Sequence, residues 1–233
     1  MYPQTGVDTP ARMMTSMFAE SFKAELKEWR DSAPTQLASN RAHNNAFGSP
    51  EWFELMYHHS VLLLYRHSMI SQHRSALGDA AGQPSVYLEC ASSAQAICRL
   101  YRQLYMSQRL NDTWGALHLL FLGGVTFLYC LWTSPEARRA FRLDRVSSTC
   151  TSCVVVLAVM AERWRAVEPY RDTFEMLADW TQTMLAEVEA AVVPEAMPVF
   201  PSSSNDQLSD NLLMMTEIGM CSSVEALLTD MIN

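Results

Sequence analysis

The sequence predicts an all-α protein, an irregular multi-helix bundle ending in a mostly disordered or weakly helical C-terminal tail, and three observations carry that reading. Apolar residues recur with a period near 3.6 along most of the 233 residues, and the period-2 alternation of a half-buried strand is almost absent. Hydrophobic residues make up 49% of the chain and charged ones 18%, which supplies a core and excludes a disordered or collagen-like polymer. Charge is uneven: all 17 basic residues lie within positions 1–171, whereas Asp172 to Asn233 hold 11 acidic residues and no lysine or arginine. That distribution, with a net charge of −8, lacks the concentrated basic face that a nucleic-acid backbone demands.

Each element has its own signal. A first helix from about Thr15 to Arg30 would bury Phe18, Phe22, Leu26 and Trp29, and a polar loop follows from Asp31 to Gly48. Ser49 can cap the next helix, Pro50 suits its first position, and Glu51 and Glu54 complement its positive end. This helix, to about Arg74, contains Val61-Leu62-Leu63-Leu64-Tyr65, apolar nearly all round and therefore central. Gly78, Gly82 and Pro84 break the pattern, and Val86 to Arg109 resumes it with Cys90, Ala94, Ile97, Cys98 and Tyr101 on one face. Asn111, Asp112 and Thr113 supply caps for a strongly apolar helix from Trp114. Ser134-Pro135-Glu136 restarts a short Arg-rich helix, Ser147 to about Val167 gives another, and Pro169 opens a long one to about Val192. The organisation read from these signals is an N-terminal helix and polar loop at 1–48, a helical domain at 49–193, a Pro/Ser linker at 194–205 and an acidic-hydrophobic tail at 206–233.

Thr113 to Pro135 carries no formal charge over 23 residues, long enough to cross a bilayer. His118, Thr126 and three glycines, among neighbours patterned for packing in water, favour instead a helix at the centre of a bundle. A single-span or membrane-associated helical protein is the alternative, and an unrecognised all-α enzyme is another.

Catalytic signals are sparse. There is no GxSxG elbow, no phosphate-binding glycine loop and no cluster of aspartates for Mg²⁺, so no catalytic, cofactor or metal residues are assigned. His58, His59, His67 and His73 share one helix without the i, i+4 spacing of a metal pair. The six cysteines fit a reducing intracellular compartment, and the CxxC of Cys150 and Cys153 lacks the context of a redox or zinc motif. His118 sits one turn into the most apolar helix, where an imidazole either finds a partner or lines a pocket; with Trp114 and Phe121 it marks a candidate effector pocket.

The tail alternates acids with large apolar groups. Repulsion would keep it open, while Leu212, Leu213, Met215, Leu227, Leu228 and Met231 would be free to enter a partner's groove as an activation segment. The competing reading is a C-terminal helix docked on the chain's own core.

Several stretches taken in order resemble the regulatory middle region of fungal binuclear zinc-cluster transcription factors. Leu62-Leu63-Leu64-Tyr65-Arg66-His67-Ser68 is similar to that family's LLLYRPS signature, and Cys90, Ala91, Ala94, Ile97 and Tyr101 match the helix that follows. Thr113-Trp114, Leu117-His118 and Phe121 through Leu128-Tyr129-Cys130-Leu131-Trp132 resemble its TW..LH..F..G.T.LYC.W stretch, and Met160 to Trp164 and Tyr170 to Phe174 continue it. His67 and Arg165 stand where the family often has proline. The family's six-cysteine DNA-reading cluster has no counterpart, since the cysteines here are dispersed from Cys90 to Cys221. The resemblance implies a nuclear, non-enzymatic regulatory domain with a C-terminal activation segment, acting on transcription by RNA polymerase II through transcription machinery or co-regulator proteins. A small effector and a second copy of the chain would be further partners. Zinc and DNA contact would belong to an N-terminal module absent from this sequence, and the resemblance argues against a membrane span.

Overall fold

Thr113, the last of the three capping residues before the apolar run, fixes where the central helix starts: its hydroxyl accepts a hydrogen bond from the Ala116 amide at 3.1 Å. In the computed structural model, which describes residues 8–33, 49–76, 84–109, 113–190, 205–218, 220 and 222–232, the helices are α1 (Asp8–Asp31), α2 (Pro50–Ala76), α3 (Pro84–Met106), α4 (Trp114–Thr133), α5 (Pro135–Ala140), α6 (Leu143–Arg163), α7 (Glu168–Ala190), α8 (Asn205–Ile218) and α9 (Ser222–Ile232), with a 3₁₀ turn at Arg165–Val167. No strand occurs among the described residues. The linker expected at 194–205 lies almost wholly outside them.

Two neighbouring residues end α4 as decisively as Thr113 begins it. The Ser134 amide donates to the Cys130 carbonyl at 3.0 Å, and its hydroxyl accepts from the Ala137 amide at 3.2 Å, so one serine closes α4 and opens α5. Arg138 then folds back and donates to the carbonyls of Leu131 and Trp132 at 2.9 and 2.8 Å, satisfying acceptors that the helix end leaves orphaned. α6 begins four residues before the expected Ser147, after Arg142, which makes no side-chain cap bond.

Helix α4 is the axis of the bundle. Every residue from Leu120 to Trp132 is buried, and α3, α5, α6, α7 and α9 all pack against it. α4 and α6 are each long and apolar enough to cross a membrane by length and composition, but α4 spends almost its whole perimeter on protein. One polar thread runs through this interior. The Trp132 indole N–H donates to the Thr181 hydroxyl at 2.8 Å, which in turn donates to the Leu177 carbonyl at 2.7 Å, so both of these donors are satisfied where α4 meets α7.

The glycine pair in α4 makes this convergence fit. A methyl group on Gly123 would lie 2.8 Å from Ile97 Cγ2 on α3; one on Gly124 would lie 2.6 Å from the Phe174 ring on α7 and 2.9 Å from Cys153 Sγ on α6. Those neighbours are themselves fully or almost fully buried and have little room to retreat. Gly124→Ala should therefore destabilise the fold by about 1–3 kcal/mol, the usual cost of overpacking. Gly115→Ala, where the added group would meet only Thr113 Oγ1 at 3.9 Å, should cost nothing measurable, and denaturant midpoints compare the two.

Helix α1 turns a different face to the body from the one its aromatic residues predict. Ala19, Lys23, Leu26 and Arg30, at spacings of four, three and four, are the half-buried side. Lys23 pairs with Glu89 at 2.9 Å, Arg30 lies 3.5 Å from Glu54 and 4.6 Å over the Tyr57 ring, and the Tyr65 hydroxyl donates to Glu20 at 2.8 Å. Phe18 and Phe22 are 61% and 58% exposed, which corrects the expectation that they are buried. Long amphipathic stems with satisfied ionic heads cover the partly polar side of α2 better than bare rings could. Only Trp29 remains engaged, its ring centroid 4.8 Å from that of Phe53.

The C-terminal segment also corrects a prediction. In place of an open acidic tail there are two helices docked on the body, α8 on α7 and α9 on α4. Leu208, Met215, Met220, Val224, Leu227, Leu228 and Met231 are buried. The apolar spacing that would suit a partner's groove suits the chain's own core first, because a tethered segment meets it at high effective concentration.

Candidate functional site

The three residues predicted to form an effector pocket do come together, at the N-terminal end of α4, with a fourth supplied by α7. Trp114, His118 and Phe121 recur at helical spacing and share one face. Tyr170, two residues into α7, is set against them by the 3₁₀ turn at Arg165–Val167 and is fully buried. Edge-to-face contacts link the rings: Phe121 to Tyr170 at 4.9 Å between centroids, His118 to Tyr170 at 5.8 Å, Trp114 to His118 at 4.8 Å and Trp114 to Tyr170 at 6.2 Å. The cluster grades from core to surface, with Phe121 buried, His118 half-buried and Trp114 38% exposed.

His118 Nδ1 is 2.8 Å from the Trp114 carbonyl oxygen. A carbonyl only accepts, so Nδ1 carries a proton and donates it to this contact. The imidazole is thus a partnered member of the ring stack, as buried polar groups generally are. Sequence spacing identifies three of the four members; the contribution of Tyr170 depends on how α7 returns to α4, which local periodicity does not encode.

Cys150 and Cys153 face the body interior, as do Cys90, Cys98 and Cys130, and all five are free thiols. Burial pushes Cys90 and Cys150 up to about 12 and Cys153 and Cys130 well above the ordinary thiol range. Such protonated sulfurs behave as small hydrophobes, not nucleophiles. Cys221 lies outside the described residues. Among the described residues, no three His, Cys, Asp or Glu side chains converge as a metal would need.

His58 and His59 lie half-buried on α2, and the side chains of His67 and His73 lie outside those described. Burial lowers the pKa of His58 despite Glu54, whose carboxylate is 3.4 Å from Nε2; burial and the positive charge of Arg66 lower that of His59. The unfolded chain, with histidines near 6.5, therefore binds protons before the folded one does. Stability should be complete above about pH 6.5 and decline as the pH falls below it toward the depressed folded values. Thermal midpoints between about pH 7 and 5.5 should fall in the wild type and flatten in His58→Gln/His59→Gln.

The class of protein defined by this fold is an all-α domain organised around one buried apolar helix, with an acidic C-terminal pair of helices folded against it. A positive regulator of purine utilization from Emericella nidulans is 29% identical over 173 residues, 68% of this chain and 16% of that protein. A transcriptional regulatory protein of Saccharomyces cerevisiae is 28% identical over 183 residues, 71% of this chain and 12% of its own length. Both relatives are fungal, one a positive regulator and the other a transcriptional regulatory protein, consistent with the zinc-cluster regulatory regions that the motifs resemble. No family model matches the chain, and no solved structure does.

Proposed function

We propose that the chain is a regulatory region, with its C-terminal activation segment, of a fungal zinc-cluster transcription factor. It acts in the nucleus on transcription by RNA polymerase II through contacts with co-regulators or the transcription machinery. The observation that carries this reading is the likeness to two fungal regulators, one of purine utilization and one a transcriptional regulatory protein, over about two thirds of the chain. DNA reading and zinc would fall to a separate N-terminal module, and the exposed edge of the Trp114–His118 step is where a small aromatic or cationic effector would stack.

The test is to fuse residues 1–233 to a heterologous DNA-binding module and read a reporter gene in yeast. Reporter output should rise at least about fivefold over the module alone, a free-energy difference of about 1 kcal/mol in recruitment. Output equal to that of the module alone overturns the reading.

A further inference from the structure

Helix α8 is apolar on two opposite sides. Its inward side carries Leu208 and Met215, both buried against the body. Its outward side carries Leu213 and Met214, 62% and 49% exposed, flanked by the exposed carboxylates of Asp210 and Glu217, the four at i, i+3, i+4 and i+7 spacing. This pair points away from the side that anchors the helix to the body.

We infer that the outward face of α8, formed by Asp210, Leu213, Met214 and Glu217, is a ready-made docking surface for a partner protein that offers an apolar cleft rimmed by lysine or arginine. The charge of the region selects that partner. From Asp172 to Asn233 the chain has no basic residue at all, so the two carboxylates that flank the apolar pair meet no cation from this segment. A cleft with basic edges would neutralise them while its floor takes Leu213 and Met214. An acidic or purely apolar cleft would leave charge desolvated without compensation. The face works with α8 folded and docked, so binding requires no unfolding of the C-terminal segment. It also divides the six predicted activation residues: Leu213 belongs to the docking face, Met215, Leu227, Leu228 and Met231 belong to the core, and Leu212 lies between. This inference rests on the regulatory reading above.

The whole chain fused to a DNA-binding module tests it. Leu213→Ala/Met214→Ala should cut reporter output about tenfold, as loss of two central apolar contacts does. Asp210→Asn/Glu217→Gln should cut it less, and the Asp210→Lys/Glu217→Lys reversal should abolish it. All three purified variants should keep helical circular dichroism and a thermal midpoint close to the wild type's, since all four side chains lie on the exposed side of α8. If the wild-type fusion responds and the face variants match it, the docking face is overturned while the regulatory reading stands; a silent wild-type fusion overturns both. A charge reversal that raises output identifies an acidic partner and refutes the proposed chemistry. If the purified chain is a dimer that Leu213→Ala/Met214→Ala converts to monomer, the face belongs to a second copy and the inference is wrong.

Discussion

Phe121→Ala should lower the unfolding free energy by about 3–5 kcal/mol, a large fraction of the 5–15 kcal/mol that holds a domain together. Phe121 is fully buried on α4 and meets the Tyr170 ring at 4.9 Å with the planes near perpendicular. Truncation removes its own buried area, leaves a void that α7 is too well anchored to fill, and strips Tyr170 of one of its aromatic neighbours. Trp114→Ala, two turns earlier at the exposed edge of the same cluster, removes a larger side chain but should cost much less. More than a third of that indole is already in water, and no cavity closes over it. Urea denaturation of the two variants gives the comparison, and equal costs would mean that the cluster is not the graded, core-to-surface arrangement described.

That contrast also shows what the sequence can and cannot encode. The limits and position of α4 are legible because the signals are local: a capping Thr113, a Ser-Pro restart at 134–135 and an apolar run between them. The three α4 members of the aromatic cluster follow from helical spacing for the same reason. Tyr170 does not, since its place depends on a turn between α6 and α7. Helix α1 fails for a subtler reason. Periodicity weights Phe18 and Phe22 as buried, but the surface it must cover presents Glu54, Tyr57 and Glu89, which select the neighbouring stripe of Lys23, Leu26 and Arg30. The tail stays open between two readings, a free segment and a helix docked on the chain's own core, because composition cannot tell an apolar side chain kept for a partner from one used by the chain itself.

The strongest consequence of that last point concerns α9. Leu227→Ala and Leu228→Ala should each destabilise the whole fold by about 2–5 kcal/mol, because both side chains are fully buried where α9 meets the body. An open acidic tail would instead tolerate either change within about 0.5 kcal/mol, as exposed positions do. Leu213→Ala supplies the internal reference, one turn of apolar chemistry in the same acidic segment but with most of its surface in water. Chemical denaturation of the full chain should therefore rank Leu228→Ala and Leu227→Ala far below the wild type and leave Leu213→Ala beside it. Amide exchange adds a second readout: in the docked arrangement, protection in α9 should disappear together with that of α4, as one cooperative unit. If α9 exchanges at the rate of an unstructured peptide while α4 stays protected, the two helices do not share a core, and residues 222–232 return to the pool of segments free to bind a partner.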